Sequence, residues 1–407
     1  MKVIHGGITA ATGFKASGLY CGIKVSKKKD LSLIYSEKIC DAAGSFTTNK
    51  VQASCVVVNK EHLKDHKAQA IIANSGNANC MTGESGFENT RTMASVTARL
   101  LKIRKKDVLV ASTGVIGKPL PIKKIIEAAP QLVGDLSKKG GEHAAAGILT
   151  TDRLNKEMAV EFLVGAKRVR VGAIAKGAGM IHPQMTVHGP KHATMLCFAT
   201  TDALIAPTAL RAALDRSIGK SFNAITIDGD MSTNDMVLVL ANGMAGNKKI
   251  IEGTKEFRLF VRALETIFLH LAKEMVRDAE GATKFVEVAV KNASSAEDAI
   301  NTARSVASSN LFKCALFGSD PNWGRIAAAA GYSGAHLDPW KLCIYLGKEL
   351  VLKNGGRVKQ KAAVLNRVFA QKNIKITVDL GLGKYSASAY TCDFSTGYVR
   401  INSAYRT

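Results

Sequence analysis

Several short tracts rich in Thr, Asn and Gly each follow an apolar run of the sequence. Turns at strand ends are where α/β proteins commonly place ligand-binding and catalytic groups. In Ser112-Thr113-Gly114, a hydroxyl and a backbone N–H can point at one position, which is the arrangement that stabilises an oxyanion. The residues alone therefore predict an α/β enzyme with a threonine-rich site.

Two further tracts each allow a structural and a functional interpretation. Residues 74–79 (NSGNAN) form either a turn whose amides satisfy one another or a functional loop. Glu280 follows the strongest helical pattern of the chain, so it belongs either to a helix C-cap region or to a receptor for a substrate ammonium. The residues alone leave both pairs of interpretations open.

Metal and cofactor chemistry is not predicted. His182, His188 and His192 cannot share a helix face, because prolines interrupt the segment, and no carboxylate lies between them. The acidic tract 228–235 lacks the glycine and glutamate of a calcium loop at the required positions. The chain also has no CxxC pair and no GxSxG elbow. We therefore expect no metal and no resident cofactor.

The chain carries a formal net charge of +23, which indicates either an anionic partner or a solvated basic surface. Its lysines occur in scattered short runs without interleaved aromatic residues, which does not favour nucleic-acid binding. No apolar run approaches the roughly 18 residues of a membrane helix, and the N-terminus lacks a signal-peptide core. The eight cysteines lie mostly among apolar residues and predict reduced core thiols, so we expect a cytoplasmic protein that does not bind membranes.

Hydrophobic periodicity predicts the elements that must position these tracts. Apolar runs predict buried strands at 56–58, 70–73 and 108–111. Alternation predicts a strand at 374–380 that turns through 381–383 into a partner strand at 387–392. Helical spacing predicts helices at 122–129, 209–218 and 257–275. Together these patterns favour an α/β fold of mixed layers over a doubly wound Rossmann sheet.

Taken in order, the tracts resemble the glutamate N-acetyltransferase/ornithine acetyltransferase family of arginine biosynthesis. The resemblance spans nearly the whole chain. It is carried by FTTN (46–49), NSGNAN (74–79), STGVIG (112–117), KGAGMIHP (176–183), ATML (193–196), TTDA (200–203), DGDMSTND (228–235), RDAEGATK (277–284), FGSDPNWGR (317–325) and INSAYRT (401–407). It implies an α/β/β/α sandwich-like architecture of the ornithine acetyltransferase type.

The resemblance further implies a precursor that cleaves itself between Ala193 and Thr194. Two chains would result, an α chain of residues 1–193 and a β chain of residues 194–407, which assemble as an α2β2 heterotetramer. The α-amino group freed on Thr194, with an ordinary pKa of about 7.7–8.0, would serve as the base for the hydroxyl of the same residue. Thr194 would then take the acetyl group from N-acetylornithine and pass it to glutamate.

The same motif matching assigns the remaining site residues. Thr113 and Gly114 correspond to the pair that stabilises the oxyanion. The expected substrate contacts are Thr150, Lys176, Thr194, Glu280, Asn402 and Thr407. Whether acetyl-CoA also serves as an acetyl donor, which would make the enzyme bifunctional, is left open by the sequence.

Two departures from the family pattern keep other hypotheses open. Residues 186–192 (TVHGPKH) separate Met185 from Ala193, whereas the family runs directly from that methionine into the cleavage tract. Residues 152–156 (DRLNK) lack the proline that usually precedes the lysine. An N-terminal-nucleophile amidase or aminopeptidase would use the same Thr194 and pass the acyl group to water. An uncleaved, inactive binding relative is the third hypothesis.

Overall fold

A computed structural model describes residues 1–47, 49–183, 185 and 195–404. The strands are β1 (Lys2–Ile4), β2 (Phe14–Leu19), β3 (Leu31–Phe46), β4 (Lys67–Asn77), β5 (Val108–Val115), β6 (Lys156–Val164), β7 (Lys167–Lys176), β8 (Leu196–Thr201), β9 (Met236–Ala241), β10 (Phe285–Ala293), β11 (Cys343–Leu346), β12 (Glu349–Lys353), β13 (Gly356–Arg357), β14 (Asn373–Asp379) and β15 (Tyr385–Cys392). The helices are α1 (Ser54–His62), α2 (Gly83–Leu101), α3 (Ile122–Gly134), α4 (Gly141–Ile148), α5 (Pro207–Gly219), α6 (Lys255–Arg277), α7 (Ala296–Ser308), α8 (Asn310–Phe317), α9 (Trp323–Gly331), α10 (Ala362–Phe369) and α11 (Thr396–Ser403).

The described residues divide into two compact units. The first contains Met1–Asn223 and Asp230–Met275, and the second contains Ala224–Gly229 and residues 276–404. This division by packing is different in kind from the covalent division into chains 1–193 and 194–407, which stays a prediction. Within the described ranges, no helix is long and apolar enough to cross a membrane.

The first unit is built on a mixed sheet with the strand order β1-β6-β7-β8-β9-β3-β4-β5, and β2 pairs with β3 outside this path. The pairs β4–β5 and β8–β9 are parallel, whereas β3 runs antiparallel to both β4 and β9. All six residues of β8 and all six of β9 are buried, which is typical of strands covered on both faces. The predicted mixed α/β fold is confirmed, and the sheet is not doubly wound.

The second unit contains a six-stranded sheet in the order β13-β12-β11-β14-β10-β15. The strand predicted at 374–380 is present as β14, but the predicted hairpin with the strand after residues 381–383 is wrong. β10 lies between β14 and β15 and pairs with both, in parallel with the former and antiparallel with the latter. A local turn pattern cannot reveal this insertion, because β10 is about 80 residues away in sequence.

The strand predicted at 56–58 is also wrong, since these valines belong to helix α1. Cys55, Val56 and Asn59 are buried at helical spacing. The Asn59 amide bonds both backbone groups of Val110 on β5: Nδ2 donates to the carbonyl at 2.8 Å, and Oδ1 accepts from the N–H at 2.8 Å. Tertiary packing against β5 therefore overrides the strand propensity of three consecutive valines.

Candidate functional site

Lys176, the last residue of β7, brings three of the predicted site residues together. Its side chain is buried, with 3% of the residue exposed, and its Nζ donates to the Thr150 hydroxyl at 2.9 Å. The same nitrogen lies 3.4 Å from Oγ1 of Thr113, on β5. One ammonium thus links residues from three separate tracts of the sequence, which gives the site a fixed positive charge beside two hydroxyls.

Asp152 supplies the negative charge that keeps this lysine in a buried position. Its carboxylate lies 3.9 Å from Nζ of Lys176 and 2.8 Å from Nζ of Lys156, and it accepts the Gly177 N–H at 2.7 Å. Burial alone would raise the pKa of Asp152, but the two lysines and the backbone donor hold it well below its ordinary value. The carboxylate is therefore ionised at neutral pH, and the sequence analysis did not assign it to the site.

Gly114, the second residue of the predicted oxyanion pair, sits where β4 and β5 approach each other closely. Its φ is +132°, and a Cβ atom at this position would lie 2.4 Å from the backbone carbon of Gly76. The register between the two parallel strands shifts at Gly76 and Asn77. A residue with a side chain would force the strands apart, so a glycine is required directly after Thr113.

Amide side chains fix the backbone immediately before Thr113. Asn234 Nδ2 donates to the carbonyl oxygens of Ser112 at 2.8 Å and Ala78 at 2.6 Å, and Asn74 Oδ1 accepts from the Ser112 hydroxyl at 2.7 Å. Residues 74–77 continue strand β4, so the first four residues of the NSGNAN tract belong to a strand with buried amides. Its polar residues stabilise the strand that carries Thr113, which is a supporting role.

Asp235 lies at the start of β9 and was also missed by sequence reasoning. The residue is fully buried, and neither carboxylate oxygen has a hydrogen-bond partner among the described residues. Burial raises the pKa of Asp235 well above its ordinary value, a shift that the Thr47 hydroxyl and the Lys176 charge oppose. A carboxyl group of this kind near a charged lysine marks a candidate functional position.

The second unit holds two other predicted residues, Glu280 and Asn402, in direct contact. Asn402 Nδ2 on α11 donates to Oε2 of Glu280 at 2.8 Å, and Glu280 is 8% exposed. Gly281 has a φ of +67°, and a Cβ there would lie 2.3 Å from the Tyr398 nitrogen. The turn after α6 can therefore pack against α11 only with glycine at this position, and this packing sets the place of the Glu280 carboxylate.

The remaining predicted residues lie outside the described ranges. They are Ala193, Thr194 and Thr407, together with the intervening segment 186–192 and the histidines 188 and 192. Their assignments stay predictions. Within the described ranges, no group of three His, Cys, Asp or Glu side chains is arranged to hold a metal ion.

Comparison with known proteins identifies the family of this chain. The ArgJ family matches residues 15–407. The chain belongs to the ArgJ family. This assignment confirms the interpretation of the chain as an acyltransferase of arginine biosynthesis.

Relatives match over their full lengths. The arginine biosynthesis bifunctional protein ArgJ of Symbiobacterium thermophilum is 47% identical over 409 residues, covering 100% of both chains. The glutamate N-acetyltransferase of Methanocaldococcus jannaschii is 46% identical over 420 residues, again covering 100% of both. A solved chain of the ArgJ protein of Bacillus halodurans is 38% identical with a TM-score of 0.49, and covers 51% of this chain and 97% of its own.

Proposed function

We propose that this ArgJ family member transfers the acetyl group of N2-acetyl-L-ornithine to L-glutamate through an acetyl ester on Thr194. The observation that supports this proposal best is the convergence of Thr113 and Thr150 on the Lys176 ammonium. The buried Lys176 ammonium and the Thr150 hydroxyl suit an α-carboxylate, which both substrates carry, and they place that anion next to the predicted oxyanion donor Thr113. The full-length similarity to a protein named glutamate N-acetyltransferase supports the same acceptor.

The nucleophile would form by self-cleavage. The Thr194 hydroxyl oxygen attacks the Ala193 carbonyl carbon, the hydroxyl proton passes to the nitrogen of Thr194, and the C–N bond between the two residues breaks as an ester replaces it. Water then hydrolyses this ester, leaving a carboxylate on Ala193 and a free α-amine and hydroxyl on Thr194. An amine with a pKa near the working pH can act as the base for its own hydroxyl.

The hydroxyl and the α-amine of Thr194 would act in both half-reactions of acetyl transfer. The Thr194 hydroxyl attacks the acetyl carbonyl while the α-amine takes its proton, and this proton then passes to the departing amine of ornithine. The α-amine of glutamate then attacks the ester carbonyl, the C–O bond to Thr194 breaks, and a proton from the attacking amine passes through the Thr194 α-amine to regenerate the hydroxyl. The Thr113 hydroxyl and the Gly114 N–H would stabilise the negative oxygen formed in each half-reaction. Glu280 would accept the side-chain ammonium of ornithine.

The strand order supports a lasting association of the two chains after cleavage. β8 and β9 belong to the segment 194–407, and they lie between β7 and β3 of the segment 1–193. β8 pairs with β7 along six residue pairs, from Val171–Thr201 to Lys176–Leu196. Cutting the chain before β8 leaves these ladders intact, so the products would remain one folded protomer. We propose that two such protomers form the α2β2 assembly.

The experiment combines intact-mass analysis with a labelled donor. The purified protein is expected to contain chains 1–193 and 194–407, and to move a deuterated acetyl group from N-acetylornithine to glutamate with release of ornithine. Thr194→Ala should stay full length and transfer nothing, whereas Thr194→Ser keeps a hydroxyl and serves as the matched control. Acetate release that glutamate does not change would instead identify an amidase. A full-length, inactive wild-type protein would identify the binding relative.

A second acetyl donor is suggested by the word bifunctional in the name of the Symbiobacterium relative. We propose acetyl-CoA as this donor, with the same Thr194 ester as the intermediate. The test replaces N-acetylornithine with acetyl-CoA in the labelled assay. Appearance of labelled N-acetylglutamate would support the bifunctional activity, and its absence at saturating donor would restrict the enzyme to exchange between the two amino acids.

A further inference from the structure

Asp235 is a buried carboxyl group without a counterpart in the interactions described so far. Its backbone is well anchored, because its carbonyl oxygen accepts the Thr47 N–H at 2.8 Å. Its side-chain oxygens nevertheless have no hydrogen-bond partner within the described ranges, although the residue is fully buried. An unpartnered buried carboxyl group costs free energy, and such positions in native proteins call for an explanation.

The register of β8 and β9 places Asp235 beside Met195, the second residue of the predicted β chain. The two strands are parallel, Leu196 is paired with Met236, and the Met236 N–H donates to the carbonyl oxygen of Met195 at 3.0 Å. Asp235 directly precedes Met236, and Thr194 directly precedes Met195. Since adjacent Cα atoms are about 3.8 Å apart, the covalent chain itself limits how far the new N-terminus can lie from Asp235.

The positive charge that acts on the Asp235 carboxyl is shared with other groups. Lys176 supplies a positive charge from the end of β7, but its ammonium is shared among Thr150, Thr113 and Asp152. The Thr47 hydroxyl, at the end of β3, donates to the Ser232 carbonyl oxygen at 2.7 Å. On α1, the Cys55 thiol accepts from Nδ2 of Asn234, the residue before Asp235, at 4.0 Å, and burial raises the pKa of this thiol to about 12, so it is neutral.

We propose that Asp235 is a positioning residue that accepts a hydrogen bond from the α-amino group of Thr194 once cleavage has released it. This inference rests on the proposed function, because the amine does not exist in the uncleaved chain. Cleavage would then create the base directly beside its electrostatic partner. The partner stabilises the ammonium formed whenever the Thr194 hydroxyl gives up its proton, and it turns the amine toward that hydroxyl.

The pKa of the α-amine is the property that this contact changes. Burial raises the pKa of Asp235 well above its ordinary value, and the ammonium that cleavage places beside it favours the ionised carboxylate. An opposite charge within about 4–6 Å shifts the pKa of an ionisable group by about 1–3 units toward its charged form. The wild-type amine should therefore titrate at or above the ordinary value of about 8. Asp235→Asn, which keeps the shape and removes the charge, should lower that pKa by about 1–3 units.

The experiment measures the amine directly by pH-dependent reductive dimethylation of the purified, cleaved protein, with the modified β-chain N-terminus quantified by mass spectrometry. The acidic limb of the acetyl-transfer rate against pH is recorded in parallel and should move to lower pH by the same amount. Asp202→Asn is the matched control. Asp202 is a buried aspartate at the other end of β8, where its carboxylate accepts the Thr12 and Arg170 N–H groups. The Asp202→Asn protein should be less stable than the wild type, but its α-amine pKa and the acidic limb of its rate profile should be unchanged.

Each outcome decides the inference. A wild-type amine that titrates clearly below its ordinary value would overturn it, even if the Asp235→Asn variant does not fold. So would an Asp235→Asn variant whose amine titrates like the wild type. An Asp235→Asn protein that folds but stays full length would place Asp235 in the cleavage step instead. A wild-type protein without the break before Thr194 contradicts the proposed function itself, whereas the other results leave that function standing.

Discussion

Asn234 and Ser112 are joined by a hydrogen bond of 2.8 Å that connects the segment before β9 to the strand that carries Thr113. Ser112 immediately precedes Thr113, so the amide of Asn234 holds the peptide that orients the predicted oxyanion donors. The bond crosses 122 residues of sequence. The geometry of this donor pair thus depends on a residue that belongs to a different part of the chain.

Asn234→Ala should slow acetyl transfer while leaving a folded protein. A displacement near 1 Å in a catalytic group can lower the rate about 10²-fold, and two buried carbonyls left without a donor should cost about 1–3 kcal/mol each. Steady-state kinetics and urea unfolding measure the two effects. Asn247→Ala removes another buried amide, which bonds the Leu204 backbone, and should lower stability without slowing transfer. Equal rates in both variants would contradict the positioning role.

Thr113→Ala removes a predicted oxyanion donor. Loss of one such donor costs about 10²–10³-fold in rate, so kcat should fall by that factor with little change in KM. Thr113→Ser retains the hydroxyl and should stay within about tenfold of the wild type, a difference of roughly 1.4 kcal/mol. If the alanine variant instead raises KM and leaves kcat unchanged, Thr113 binds the substrate ground state and does not stabilise the oxyanion.

Glu280→Gln should affect the donor half-reaction selectively. A charge-assisted hydrogen bond contributes about 1.5–3 kcal/mol, so KM for N-acetylornithine should rise roughly 10- to 100-fold. Glutamate has no side-chain ammonium, so its KM should stay unchanged. N-acetylnorvaline, a donor without the ammonium, should react equally poorly with both proteins. An equal loss for both amino acids would show that Glu280 supports the site as a whole.

Asp152→Asn should destabilise the protein in a pH-dependent way. Removing one partner of a buried ion pair costs about 3–5 kcal/mol, because it leaves Lys176 and Lys156 without their counter-charge. The folded-state pKa of Asp152 lies below its ordinary value of 3.8, so the stabilisation is fully present above that pH and is lost as the pH falls further. Urea unfolding at pH 7 and at pH 3 measures this difference, which should shrink at the lower pH. A constant difference would contradict the charge-based explanation.

Local patterns predicted the elements whose signals are strong over many residues. The helices at 122–129, 209–218 and 257–275 are present as α3, α5 and α6, and the runs at 70–73 and 108–111 lie within β4 and β5. Three valines were too short a segment to distinguish strand from helix, because the Asn59 contact with Val110 decided the outcome. β15 pairs with β10, which is distant in sequence, and a local turn pattern gives no information about such a partner.

The family resemblance assigned Thr113, Thr150 and Lys176 to the site, and it marked residues 228–235 as a tract without naming a site residue in it. Asp152, Asn234 and Asp235 were missed as site residues for a physical reason. Each is an ordinary polar residue near a turn in sequence, and only the register of several strands shows that its side chain is buried. All three side chains are buried, and the Asp235 carboxyl in addition has no hydrogen-bond partner among the described residues. These properties depend on the fold and cannot be predicted from the residue type.

The two hydrogen bonds between Asn59 and Val110 have a consequence for how the molecule behaves at high concentration. β5 ends the strand order of its sheet, and an open terminal strand can recruit a strand from another molecule. The amide of Asn59 occupies the donor and acceptor of Val110 as a neighbouring peptide would. The strand that bears Thr113 is thus capped at Val110 from within its own chain, which opposes the addition of a strand at that point, three residues before the predicted oxyanion donor.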